Sequence, residues 1–262
     1  MKGILCYYSG SGNTKLACQH LAKQINNAEF ELCDIVKEDM PDFSRCDVAG
    51  FATFADFGSV SHCVRQFFEK MPPQSMPAYV FNTYGFMSLA TLRDLAKLVH
   101  DKGFRVLGGY SLHTPENYPP MRMRNRAADD APKPKELDTF RAFIQRLDHQ
   151  FSMLQNSQTV PHDPIKIGLK NTLFSVIPFP NAKKDMGEQQ VDESTCSECG
   201  TCAKRCPYGA IQLAPKPVFD HRKCCGCWAC YNHCPEHAIH TSKVTEDYRY
   251  PKPIEALRQK LQ

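Results

Sequence analysis

Residues 5–14 read Leu5-Cys6-Tyr7-Tyr8-Ser9-Gly10-Ser11-Gly12-Asn13-Thr14, and this stretch decides the architecture of the first half of the chain. The apolar run Lys2–Tyr7 predicts a strand, and helical spacing begins at Thr14 and lasts to Ile25. A strand that passes through small residues into a helix leaves N–H groups, and the positive end of the helix dipole, facing the turn. A phosphate is stabilised there. The turn holds no lysine or arginine. It is therefore not a P-loop, which needs Gly-Lys followed by Ser or Thr, and it also fails the G-x-G-x-x-G pattern. Neutral donors of this kind suit a monophosphate held in a dipolar nest.

Outward from this loop, strand and helix signals alternate. Phe30–Ile35, Val48–Thr53, Tyr79–Thr83 and Phe104–Gly109 predict four more strands, and Val60–Lys70, Leu89–Lys102 and Glu136–Gln155 three more helices. Such alternation predicts an α/β domain, a parallel sheet with helices on both faces. Ligands of these sheets bind at the carboxyl ends of the strands, near the switch in strand order. The third strand runs out into Thr53-Phe54-Ala55-Asp56-Phe57-Gly58 and the fourth into Asn82-Thr83-Tyr84-Gly85-Phe86-Met87. After the fifth, His113–Tyr118 is placed to close the site. Pro119–Lys135 reads as an irregular, solvated excursion carrying Arg122, Arg124 and Arg126.

The opening loop resembles the flavodoxin signature. Ser9, Ser11, Gly12, Asn13 and Thr14 match the motif, with Tyr7 and Leu21 at its apolar positions. Cys6 and Cys18 are small departures from it. The resemblance covers about residues 1–155 and implies a flavodoxin-like five-stranded parallel sheet in the order 2-1-3-4-5. It also implies FMN, with its phosphate on the loop and its ring flanked by Thr53, Phe54 and Ala55 on one side and Asn82, Thr83, Tyr84 and Gly85 on the other. Phe54 or Tyr84 would stack on the ring, and amides near Thr83–Gly85 would reach its polar edge.

A second signal lies far downstream. Position 196 opens Cys-Ser-Glu-Cys-Gly-Thr-Cys-Ala-Lys-Arg-Cys-Pro, and position 224 opens Cys-Cys-Gly-Cys-Trp-Ala-Cys-Tyr-Asn-His-Cys-Pro. Both are C-x2-C-x2-C-x3-C-P, and Pro207-x-x-Ala210-Ile211 recurs as Pro235-x-x-Ala238-Ile239. A repeat this regular predicts two equivalent halves. A zinc site would use four ligands and leave the third cysteine of each triplet and both Cys-Pro cysteines without a role. Residues 192–242 resemble bacterial two-cluster ferredoxins, an α+β fold in which the fourth cysteine ligates the other cluster. That resemblance implies one [4Fe–4S] cluster on Cys196, Cys199, Cys202 and Cys234, and another on Cys224, Cys227, Cys230 and Cys206. Cys225 falls off the register.

Composition agrees with this division. Of fourteen cysteines nine fall between 196 and 234, a clustering that indicates metal ligation in a reducing compartment rather than a disulfide scaffold. The other five, Cys6, Cys18, Cys33, Cys46 and Cys63, are expected to be small buried apolar residues. The net charge of +4 does not argue for nucleic acid, because two loaded clusters add about −4 to the C-terminal part. No run approaches the roughly 20 apolar residues of a membrane span, and cytoplasmic residence is the expectation. Residues 156–191 read as a connector with one short helix near Ile165–Val176 and an apolar piece, Leu173–Pro180, docked between the domains. Residues 243–262 read as a C-terminal tail.

The two domains in this order are similar to flavodoxin–ferredoxin fusion proteins of anaerobic microorganisms. FMN moves one or two electrons and each cubane one, so the expected function is electron transfer between FMN, two [4Fe–4S] clusters and low-potential redox proteins. The alternative is an FMN-dependent reductase of a small substrate, with Tyr84, His113 and Tyr118 as conceivable proton donors.

Overall fold

The computed structural model describes residues 1–165, 182–244 and 246–262. Its N-terminal part is a five-stranded parallel sheet, β1 (Lys2–Tyr7), β2 (Glu29–Asp34), β3 (Val48–Phe54), β4 (Pro77–Tyr84) and β5 (Arg105–His113), in the order β2-β1-β3-β4-β5. The helices α1 (Asn13–Gln24), α2 (His62–Lys70), α3 (Thr91–Asp101) and α5 (Pro134–Gln155) cover it, with a short α4 (Pro119–Met123) before the last. This is the flavodoxin-like strand order. β1 shows why the sheet must be covered twice. Its pleat sends Leu5 and Tyr7 into a core with Leu21, Phe81 and Phe140, and Ile4 and Cys6 into another with Phe51, Phe68 and Leu95. A strand buried on both faces reads as a continuous apolar run.

Chain order moves outward from β1 to β2, then crosses to β3 on the other side. The loops after β1 and β3 therefore part at their carboxyl ends and leave a crevice there.

The C-terminal part is built twice. β6 (Gln189–Val191), α7 (Thr201–Arg205) and β7 (Ile211–Leu213) recur, each 28 positions on, as β8 (Pro217–Phe219), α8 (Ala229–His233) and β9 (Ile239–Thr241). The strands pair crosswise, β6 with β9 and β7 with β8, both antiparallel. Even the left-handed backbone positions repeat, with Glu198 and Gly200 in the first half answered by Gly226 and Trp228 in the second. Between the domains lies α6 (Ala182–Met186), and the chain ends in α9 (Glu255–Leu261).

Two expectations meet the structure differently. Arg122 is not a solvated loop residue: it pairs with Asp129 at 2.8 Å, donates to the Glu116 carbonyl and lies over the Tyr250 ring. The tail is packed, with Leu257 and Leu261 buried in the α1–α5 core of the first domain. The helix expected near Ile165–Val176 and the docking of Leu173–Pro180 lie outside the described residues. Of the five scattered cysteines, Cys6, Cys18, Cys33 and Cys63 are buried, and Cys46 is partly so.

Candidate functional site

The loop after β1 is shaped by its own side chains. Ser9 Oγ accepts from the N–H groups of Gly12 (3.1 Å) and Lys15 (3.2 Å), which caps the start of α1. Gly12 takes a φ of 102° at the helix boundary, a conformation that strains any residue with a Cβ. The first N–H groups of α1 have no acceptor within the helix and stay directed at the loop. Thr14 Oγ1 meets Thr83 Oγ1 at 2.9 Å, which fastens the loop to the end of β4.

A small pocket sits on this loop. Among the expected residues, Ser9, Ser11, Asn13, Thr14, Phe54, Ala55, Thr83, Tyr84 and Gly85 line it. Gly12, Thr53 and Asn82 do not. Asn82 is turned inward, where its amide donates to Ser88 Oγ at 3.1 Å and accepts from Ser111 Oγ at 2.6 Å. The pleat explains this, since neighbouring residues of a strand point to opposite faces. Tyr84 stacks on His113 with ring centroids 5.1 Å apart, so its face is already covered. Phe54 lines the cavity and packs on Tyr8 at 5.1 Å.

The segment at the end of β5, His113–Tyr118, reaches this pocket through its middle residues, without His113 or Tyr118. Thr114, Pro115, Glu116 and Asn117 all line the cavity. Glu116 accepts from the N–H groups of Asn117 (2.9 Å), Tyr118 (3.0 Å) and Phe86 (3.0 Å). Burial pushes its carboxyl up, and these N–H groups pull it partly back. The carboxylate is directed at the β4 loop, away from the α1 N–H groups.

Gly10, Phe54, Ala55, Gly85, Glu116 and Asn117 also line a second, larger pocket. This one lies between the two domains. On the sheet side it is walled by Asp56, Phe57, Met87 and Tyr118, and on the other side by Gly226, Cys227, Trp228, Ala229, Asn232 and His233. Asp56 has its carboxyl pushed up to about 6 by burial. Trp228 is fully buried, edge-on to Tyr231 (5.3 Å) and Tyr118 (6.0 Å). Its Nε1 has no acceptor among the described residues. Nothing in the sequence pattern marks the C-terminal residues of this wall, because they reach it only through domain docking.

The eight repeat cysteines surround two further cavities. Cys196, Cys199, Cys202 and Cys234 line one, and Cys206, Cys224, Cys227 and Cys230 the other. Each therefore takes three cysteines from one repeat and one from the other. Cys225 also borders the second. Among the described residues no three His, Cys, Asp or Glu side chains converge on a point as ligands of one ion would. The two sites differ in exposure. Cys199 is exposed and its thiol is lowered by hydrogen bonds from Thr201, whereas burial pushes the Cys230 thiol up to about 12 and that of Cys227 well above its ordinary value. Thiolates so enclosed need a positive partner, which bound iron supplies.

Residues 190–212 and 217–240 match the 4Fe-4S binding domain family. No match was found among curated proteins. Among solved structures, the N-terminal part is similar to a flavodoxin from the domain Archaea, at 15% identity over 58% of this chain and 99% of that one, with a TM-score of 0.44. A two-electron reduced flavodoxin of Megasphaera elsdenii is 24% identical over 55% of this chain and 99% of that one, with a TM-score of 0.39. Rubredoxin:oxygen oxidoreductase of the anaerobe Desulfovibrio gigas is 12% identical over 58% of this chain and 36% of that one, with a TM-score of 0.43. The strand order and register, rather than these likenesses, define the fold. The chain thus joins a flavodoxin-like α/β domain to a 4Fe-4S binding domain. No described helix is long and apolar enough to cross a membrane.

Proposed function

We propose that this protein transfers electrons between FMN held at the domain boundary and two [4Fe–4S] clusters, in exchange with small redox proteins. One observation carries the reading: Cys227, Trp228 and Ala229 line both the large cleft and the second cysteine cavity. A ring in the cleft and a cluster in that cavity would share these three residues as a common wall. FMN supplies the change between two-electron and one-electron traffic. The chain's own part is to hold and insulate. The loop Ser9–Thr14 offers neutral donors to a phosphate, with Ser11, Gly12, Asn13 and Thr14 at the helix start. Phe54 and Ala55 on one side and Thr83, Tyr84 and Gly85 on the other frame the ring site, with Phe54 as its aromatic face.

The inner cluster takes Cys206, Cys224, Cys227 and Cys230, and the outer one Cys196, Cys199, Cys202 and Cys234. The exposed edge at Cys199 suits exchange with a protein partner, and the enclosed site beside the cleft suits exchange with the flavin. Anaerobic absorbance spectroscopy tests this, with reduced ferredoxin, NADH and NADPH offered separately. Ferredoxin alone should bleach flavin and clusters together. Rapid reduction by a nicotinamide would overturn the relay.

A second reading is favoured by Asp56. Its carboxyl lines the cleft and ionises near 6, so it can give up a proton close to neutrality to a small substrate reduced there. Substrate turnover that falls in Asp56→Asn, with flavin reduction by ferredoxin intact, would select this reading over the relay.

A further inference from the structure

The cluster-bearing helix α8 reaches the loop after β1 by three routes. His233 Nε2 donates to the Gly10 carbonyl at 3.0 Å. The Asn232 amide donates to the Asn117 carbonyl at 3.2 Å, and Asn117 in turn donates to Ser11 Oγ at 2.7 Å. Asn232 Oδ1 accepts from the Tyr250 N–H at 3.1 Å, and the Tyr250 hydroxyl donates to Asn13 Oδ1 at 3.0 Å. The Asn13 amide donates onward to the Pro115 carbonyl at 2.9 Å, so its orientation is fixed from both ends. Ser11, Asn13, Asn232 and Tyr250 are all buried. Pro253 is seated on Gly12, where an added Cβ would come within 2.9 Å of its ring.

Buried amides and hydroxyls linked in this way have no water to fall back on, and losing one partner leaves the other unsatisfied. Helix α8 spans only five residues, Ala229–His233. It is too short to be stable by itself and is anchored by Cys230 and Cys234 at its two ends.

We propose that Asn232 and Tyr250 are positioning residues for the FMN phosphate loop, acting across the domain boundary, so that the loop holds FMN tightly only while α8 is in place. The inference rests on the FMN reading above. Coupling of this kind is reciprocal: bound FMN in turn strengthens the docking of the cluster domain.

The test is FMN affinity measured by fluorescence quenching on the cluster-loaded full-length chain, stripped of FMN under anaerobic conditions. Iron content and cluster absorbance are recorded on the same samples. Asn232→Ala and Tyr250→Phe should each weaken FMN binding about tenfold with iron unchanged. Tyr250→Phe keeps the ring and its packing, so a role limited to packing would leave it at the wild-type affinity. It also decides the matter should Asn232→Ala lose iron, since it lies outside the cysteine repeat. Unchanged affinity in an iron-replete variant overturns the proposal. Absence of FMN binding in the wild type would instead remove the FMN reading, and the coupling with it.

Discussion

At the scale of single residues, Asp56 and Trp228 show how position overrides type. Asp56 opens a tight turn closed by Ser59, with Phe57 and Gly58 between them at positive φ, and its carboxyl lines the domain cleft. Burial favours the neutral acid. The group binds a proton more tightly in the native than in the unfolded chain, so its stabilising share is complete below the ordinary value of 3.8. That share is lost as pH rises through about 6. Asp56→Asn should therefore gain on the wild type as pH rises, with a higher Tm at pH 7.5 and little difference at pH 4.5. Paired thermal melts at the two values check this. Trp228 occupies the left-handed position that Gly200 fills in the first repeat. The backbone strain of a bulky residue there is accepted where the indole forms the wall between cleft and cluster cavity.

At the scale of elements, α9 is the least expected result. It carries only seven residues, yet Leu257 and Leu261 are 0% and 2% exposed, and the Leu261 carbonyl meets His20 Nδ1 at 3.0 Å. The chain leaves the cluster domain and completes the core of the other one. Leu257→Ala should destabilise the flavodoxin-like domain by about 2–5 kcal/mol, read as an earlier unfolding transition by circular dichroism. The strand and helix positions themselves were largely legible. β1 matches its expected limits, β2 lies one residue earlier than expected, β3 and β4 run one or two residues past their expected ends, and β5 starts at Arg105 and continues to His113. Period and β-branched content are local properties of the chain. Asn82 lies on the expected strand yet outside the pocket, because which face of the pleat meets a ligand depends on the neighbouring strands and not on local period.

At the scale of the whole molecule, the crossed cysteine sets make each cluster depend on both repeats. Cys234→Ser should remove the outer cluster and leave the inner one, and iron should fall from about eight to about four atoms per chain. The remaining cluster signal in electron paramagnetic resonance should still respond to reduction of the flavin. Loss of both clusters, or of the inner one alone, would contradict the crossed assignment. The +28 repeat shows two equivalent halves in advance, and the resemblance to two-cluster ferredoxins implies that they exchange their final ligands.

The sequence by itself determined the phosphate-type loop, the parallel α/β alternation and the two cysteine repeats, because each is written in neighbouring residues and set by local geometry. Only the tertiary structure decided that Cys227 and Trp228 face the same cleft as Phe54, that Asn232 reaches Ser11 through Asn117, and that Tyr250 donates to Asn13. Those contacts join positions more than a hundred residues apart. They exist only because two separately folded surfaces bury their polar groups against each other, and a buried polar group must find its partner wherever the docked chain provides one.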